Sequence, residues 1–336
     1  MNIEKRKFLG NDALYFEAGG YEALMLPSWG ANIVELKNKK LGVDIFRTPK
    51  SYEDLADMPQ AYGIPILFPP NRIEDGKFSA EGKEYKFPIN EVNNNNHIHG
   101  ILIRQQFAVT KAEILEKEEA VEIEAVFESN RFNDAIYSYF KHEFQCKLNY
   151  RLSSEGLTHK VSFINKSKEA MPFGLGFHTA FNTPFCQGSS KEEYKLKLSV
   201  DKKWEVNSRM LPTGKYLPLS EEEKKYREEG MMPFAISLDT PYTVNKLNIS
   251  GKEYHGAILS DIHKNISLFY EVGDEYKDWT VWNWEKTVDF LCPEPQTWAI
   301  NAPNINLPAE ETGFRMLSPG ETWSEQSKIY LKKAAV

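Results

Sequence analysis

Strict alternation of apolar and polar residues is the feature of this chain that most restricts its fold. Phe144, Cys146, Leu148, Tyr150 and Leu152 alternate with Gln145, Lys147, Asn149 and Arg151. Successive side chains of an extended chain point to opposite faces, so such a run has one buried face and one wet face. The period resumes at Leu157, His159, Val161 and Phe163, after the turn residues Ser153 to Gly156. Residues 143–165 therefore read as a hairpin. Val121, Ile123 and Val126 lie in another strand-like run, and residues 195–200 and 266–272 read as further strands. Turn signals recur at Gly19-Gly20, Asp75-Gly76, Glu81-Gly82 and residues 212–214 and 318–320. Many short strands with this punctuation predict an all-β chain, an antiparallel sandwich or barrel.

Few segments read as helix. Residues 219–229 carry Ser220 and Glu223 in capping-box spacing, and their charge density predicts a solvated surface helix. Residues 51–57 read as a second, short helix. The asparagine run at residues 93–96 reads as a loop tip. No linker and no repeat of 20 to 50 residues interrupts the pattern, so residues 1–336 are expected to form a single domain.

Composition excludes several partners. The formal net charge is −7 with no basic stripe, which argues against nucleic acid and anionic membranes. No apolar run of 18 residues predicts a membrane span, and the first residues, MNIEKRKFLGND, contain no apolar signal segment. The three cysteines, Cys146, Cys186 and Cys292, form no C-x-x-C pair and read as free thiols of a reducing compartment, so a cytoplasmic location is expected. Aromatic residues make up 13% of the chain, suited both to half-buried strands and to stacking on the C–H faces of a pyranose.

Three segments are unusually specific: PILFPPNRIEDG at residues 65–76, with His97-Ile98-His99-Gly100 further on; PFGLGFHTAFN at residues 172–182; and PEPQTWAIN at residues 293–301. Each has a plain structural alternative. Asn71-Arg72 could be a turn with a surface ion pair, His178 a core histidine, His99 a turn residue, and Glu294 part of a surface loop. In combination they point to chemistry. Pro293 and Pro295 stiffen the backbone around Glu294. Gly174 and Gly176 allow close backbone approach before His178. Glutamate with histidine is a workable general base and general acid near neutral pH.

On these residues the chain resembles the aldose 1-epimerase (galactose mutarotase) family. The matching pieces run in family order from Ser28-Trp29-Gly30-Ala31, through Asn71-Arg72-Ile73 with Gly76, Phe78, Gly82 and Tyr85. They continue through His99-Gly100, Gly176-Phe177-His178 and Asp239 to Glu294-Pro295-Gln296-Thr297 and Asn301. The resemblance implies a large antiparallel β-sandwich of the mutarotase type. It implies Glu294 as general base on the anomeric hydroxyl and His178 as general acid on the ring oxygen. Arg72, His99 and Asp239 would hold the sugar, and Asn71 and Gln296 are further candidates for substrate binding. The reaction it implies needs no cofactor and no metal, and its partner is a monosaccharide; the chain would act as a monomer or homodimer.

Three positions depart from the family pattern. Thr179-Ala180-Phe181 replaces Pro-Tyr-Phe after the histidine, Phe107 stands near a usual tryptophan, and Trp298 stands where glycine often follows Pro-Gln-Thr. These leave the preferred sugar open, since they are expected to alter the pocket walls. Alternatives are an epimerase of a phosphorylated hexose, an inactive carbohydrate-binding protein of the same fold, and a glycoside hydrolase using Asp239 as a second carboxylate. The epimerase reading requires Glu294 and His178 to share one cavity, spaced to straddle a hexose. It also predicts a bell-shaped pH profile.

Overall fold

The computed structural model describes residues 1–132 and 135–333. The alternating segment forms the expected hairpin, Phe144–Ser153 against Gly156–Asn165, with Ser153 opposite Gly156. Phe144, Cys146, Leu148, Tyr150 and Leu152 are all buried. At the turn, Gly156 has φ +101°, and a Cβ there would lie 2.2 Å from the Ile329 carbonyl oxygen, so no larger residue fits.

This hairpin is the middle of a large antiparallel sheet. Its order is Ala108–Leu115, Ala120–Ser129, Phe144–Ser153, Gly156–Asn165, Thr322–Lys333, Ile266–Glu271, Gly256–Asp261 and Tyr194–Leu198. A second large antiparallel sheet runs Pro212–Leu217, Val200–Val206, Asp239–Val244, Asp278–Trp282, Phe290–Gln296, Gly176–Phe177 and Ile66–Leu67, with Phe181–Asn182 also paired to Phe290–Gln296. The two pack face to face. Tyr270 of the first meets Trp279 of the second at 6.1 Å between ring centroids, and His159 meets Phe177 at 4.5 Å. Their inward residues belong to one apolar cluster, so the sandwich expected from the sequence is observed. An N-terminal five-stranded sheet, Asn2–Phe8 through Val43–Asp44, adds Phe16, Met25 and Ile33 to that cluster. Its other face, with Tyr15, Leu24 and Leu26, packs on Leu55 of helix Tyr52–Asp57, the short helix expected at 51–57. Among the described residues no helix is long and apolar enough to cross a membrane.

Three local readings need correction. Residues 195–200 are not one strand. The chain leaves the first sheet at Leu198 and enters the second at Val200. The buried Ser199 between them accepts hydrogen bonds from Gly256 N (3.0 Å) and Trp279 Nε1 (3.1 Å), which hold the crossover. Residues 212–214 are strand, and the turn lies earlier, closed by Met210 N to the Asn207 carbonyl. The helix in residues 219–229 shrinks to Glu221–Lys224 plus a 3-10 turn at Lys225–Arg227. Its Ser220–Glu223 capping box is present, but Glu223 is buried. The Glu223 carboxylate accepts from Lys203 Nζ (2.9 and 3.0 Å) and Tyr242 Oη (2.9 Å), so the segment is anchored to the second sheet.

Asp278 is a buried carboxyl in that sheet. One oxygen accepts from Trp204 Nε1 at 2.6 Å, and the other has no partner. Burial raises its pKa from 3.8 to about 7, with the Trp204 bond acting the other way. A raised folded-state pKa favours folding while the group is protonated. That contribution is full below the unfolded value and is lost as pH rises through about 7. Asp278→Asn should therefore flatten the fall in melting temperature between about pH 4 and about pH 7 and raise stability at the upper end. Equal pH slopes for wild type and variant in thermal melts would count against this assignment.

Candidate active site

The residues singled out in three distant segments are brought to one end of the second sheet. Glu294 sits in Phe290–Gln296, a strand buried along its whole length, so it is not on a surface loop. On one side the strand pairs with Asp278–Trp282, Thr280 opposite Glu294. On the other side pairing occurs only at Phe290, Leu291 and Gln296. Pro293 and Pro295 occupy the unpaired stretch, where a residue with no N–H to donate leaves no bond unmade. Into that gap comes His178, directly after Gly176–Phe177, with its backbone N–H on the Pro65 carbonyl at 3.1 Å.

The two side chains touch. His178 Nε2 lies 3.1 Å from Glu294 Oε1, and both residues are nearly inaccessible, at 3% and 2% exposure. They do not stand on opposite walls of a hexose-sized space, as expected from sequence. Burial brings His178 down to about 3, with Arg72 adding to the effect. Burial lifts Glu294 well above the ordinary carboxylate range; Asp239 adds to this and Arg72 opposes it. The low-polarity setting thus disfavours charge on either partner.

The second wall is made by two loops stitched together. Arg72–Glu74 pairs with Asn96–Ile98, His99 N–H donates to the Asn71 carbonyl (3.1 Å), and Ile101 N–H to the Phe68 carbonyl (2.8 Å). Asn71, His99 and Gly100 all have left-handed backbones, with φ +54°, +65° and +69°. This is why the Asn-Arg-Ile and His-Gly pieces belong together. Asn96, expected in a loop tip, is instead buried at the start of its strand and donates to Glu91. Asn301 closes the layer beneath, its Oδ1 accepting from Glu74 N at 3.0 Å.

Asn71, Arg72, His99, His178, Asp239 and Glu294 line one cavity of about 120 Å³, with Gln60, Ile98, Thr280 and Trp282 completing it. Arg72 is fixed by Glu91, whose two oxygens lie 3.0 and 3.1 Å from Nε, and by Asp239 at 3.4 Å from Nη2. Burial first, then the positive field of His178, Arg72 and His97, hold His99 well below the usual imidazole range. The His99 and His178 rings meet edge to face at 5.0 Å, and Trp282 meets His178 at 5.5 Å. Asn71 donates to Thr280 Oγ1 at 3.3 Å. Gln296 does not reach the cavity: it is fully buried and donates to Thr280 Oγ1 from beneath at 3.0 Å.

Sequence reasoning missed Glu91, Thr280, Trp282 and Gln60. Thr280 and Trp282 share a face two residues apart, and the Thr-x-Trp alternation in DWTVW could have flagged them. Glu91 and Gln60 carry no local signal. The departures expected to alter the pocket walls lie in the packing. Trp298 crosses Gly174, where a Cβ would lie 2.2 Å from its ring, and stacks on Phe314. Thr179 bonds Tyr270 Oη at 3.2 Å, and Phe107 packs on Phe127. None of these lines the cavity.

The chain is similar over 99% of its length to a galactose mutarotase-like protein from Clostridium acetobutylicum, with 41% identity, TM-score 0.96 and 98% of that chain covered. It shares its fold with galactose 1-epimerase from Lactobacillus acidophilus, at 15% identity and TM-score 0.73, with 99% of each chain covered. Among curated proteins it is 27% identical over 198 residues to the uncharacterized protein YihR of Escherichia coli, a match spanning 58% of either chain. The model of the family described as aldose 1-epimerase matches residues 13–330. That span takes in every strand of the cavity and both Glu294 and His178, and the chain belongs to the aldose 1-epimerase family.

Proposed function

We propose that this protein is a mutarotase, interconverting the α and β anomers of a free aldose, with Glu294 as general base and His178 as general acid. The 3.1 Å contact between these two groups at the floor of a polar cavity is the observation that carries the reading. The anomeric hydroxyl and the ring oxygen are both bonded to C1. A base for one and an acid for the other must therefore lie side by side, and the direct contact of the two groups suits that demand.

The pair needs a single proton. With the carboxylate ionised and the imidazole protonated, Glu294 takes the proton of the C1 hydroxyl as His178 gives its proton to the ring oxygen. The C1–O5 bond breaks, leaving an aldehyde, a neutral glutamic acid and a neutral imidazole. Rotation about C1–C2 and the reverse transfers close the ring on the other face. The reacted state returns the pair to the neutral form that burial favours, so the ionised pair is needed only while the proton transfers take place. Arg72, His99 and Asp239 would orient the hydroxyls. Arg72 is the one lysine or arginine among the cavity residues and already serves two carboxylates, which disfavours a phosphorylated hexose.

Polarimetry of freshly dissolved α-glucose and α-galactose tests this. The purified protein should speed the drift to equilibrium; no acceleration by folded protein would end the proposal. The pH profile is a second check. Independent glutamate and histidine would limit activity to between about pH 4.3 and 6.5. Here the second proton is lost near 3 and the last proton above the carboxylate range. The plateau of kcat/KM should therefore extend below that window on its acid side. An acid limb at about pH 4.3 or above would show that the two groups titrate separately.

A further inference from the structure

A second hollow shares a wall with the cavity. Gln60, Ile98 and His99 also line a second hollow of about 400 Å³, bounded by Asn90, His97, Arg104, Gln105 and Tyr139 among others. It is more than three times the volume of the catalytic cavity, within the range of small-molecule sites.

The side on which it opens has chemical meaning. In the proposed pose Glu294 meets the anomeric hydroxyl and His178 the ring oxygen. His99 packs edge to face on His178 and so borders the ring-oxygen side of the sugar. The ring oxygen is bonded to C1 and C5, and C5 carries C6. A hexose held this way turns its C5–C6 edge toward the shared wall, and a group on O6 would extend into the hollow.

The lining also has a character. His97 is buried, with Nδ1 2.8 Å from the Pro88 carbonyl and Nε2 without a partner. Burial keeps it below the usual imidazole range, so it is neutral and can accept a hydrogen bond. Asn90 clamps Ile98 through two bonds, of 2.7 and 2.9 Å, which shapes the passage. The hollow has one arginine, Arg104, tied to the Ala56 carbonyl at 2.6 Å, and one carboxylate, Asp57. These charges balance, and nothing here resembles the arginine fork an anionic group would want.

We propose that this hollow is a subsite for a second, uncharged sugar unit carried on O6, so that the substrate class includes 1,6-linked disaccharides with a free reducing end. This rests on the mutarotase reading.

Exchange NMR between the α and β anomeric protons tests it at equilibrium, without pure anomers. The substrates are glucose, maltose (1,4-linked), isomaltose (1,6-linked) and glucose 6-phosphate. The expected result is catalysed exchange of glucose and isomaltose, with isomaltose ahead of maltose by about tenfold or more. Gln105→Trp, which fills the hollow away from the acid–base pair, should lower the isomaltose-to-glucose ratio by about the same factor. Glucose measured on the same preparation controls for folding. Exchange of glucose without isomaltose would overturn the subsite and spare the mutarotase. A ratio unmoved by Gln105→Trp would overturn its location. Preference for glucose 6-phosphate would make the O6 group anionic and overturn the uncharged unit. No exchange with any aldose would remove both readings together.

Discussion

Glu294→Gln is expected to lower kcat by about 10²–10⁴-fold and leave the folded protein intact. The side chain is buried at 2% exposure, so a substitution of unequal size would confuse packing with chemistry. Glutamine keeps the volume and can still bond His178 Nε2, but its amide takes no proton from a sugar hydroxyl. Because burial already favours the neutral carboxyl, exchanging it for a neutral amide costs little stability. His178→Asn should act equally strongly through loss of the acid. The double variant should fall little further than the worse single one, since the groups work as a unit. Anomer exchange and thermal melts on the three variants check this. Retention of near-normal turnover in a folded single variant would show that its residue does no proton transfer.

The second large effect is on stability, at Gly100. Its φ of +69° disfavours any side chain, and a Cβ there would lie 2.4 Å from the Phe68 carbonyl carbon and oxygen. Those are backbone atoms and cannot swing aside. Gly100→Ala must push the His99 loop off the Phe68 strand end and break the Ile101 N–H to Phe68 carbonyl bond of 2.8 Å. A cost of about 2–4 kcal/mol is expected, with loss of the His99 wall and hence of activity. Gly82→Ala separates the two causes. Gly82 has φ +75° with no atom within 4 Å of the added Cβ, so only backbone strain remains, about 1–2 kcal/mol. Denaturant melts of both variants give the difference. Equal losses would show that collision contributes nothing at Gly100.

Much of the architecture was legible from the chain. Alternation at 144–152 and 157–163 placed the central hairpin, and Ser153 to Gly156 its turn. The same local reading stumbled where burial changes along a segment. Residues 195–200 are apolar enough for one strand, yet Ser199 passes them between sheets. Residues 219–229 are charged enough for a solvated helix, yet Glu223 turns inward to Lys203 and Tyr242. Nothing within a short window distinguishes a charge facing water from one facing a buried partner.

The site divides in the same way. Residue types in their segments nominated Glu294, His178, Arg72 and His99, the family resemblance added Asp239 and Asn71, and all six line one cavity. Gln296, chosen beside them, shares the strand face of Glu294, but its amide is held on Thr280 Oγ1 and does not reach the cavity. Glu91, which orients Arg72, was unmarked, since a surface-like glutamate gains its role only when two loops are laid together.

Chemistry and strand character are local properties. A side chain's proton affinity range and its preference for a buried or wet face belong to the residue and its near neighbours, so the order of amino acids was enough to reveal them. Convergence is a non-local property. Residues 71 and 294 meet only because strand order places Ile66–Leu67, Gly176–Phe177 and Phe290–Gln296 side by side. The contact of imidazole with carboxyl, and the burial that strips charge from both, arise from that packing of distant segments and have no counterpart in any stretch of sequence.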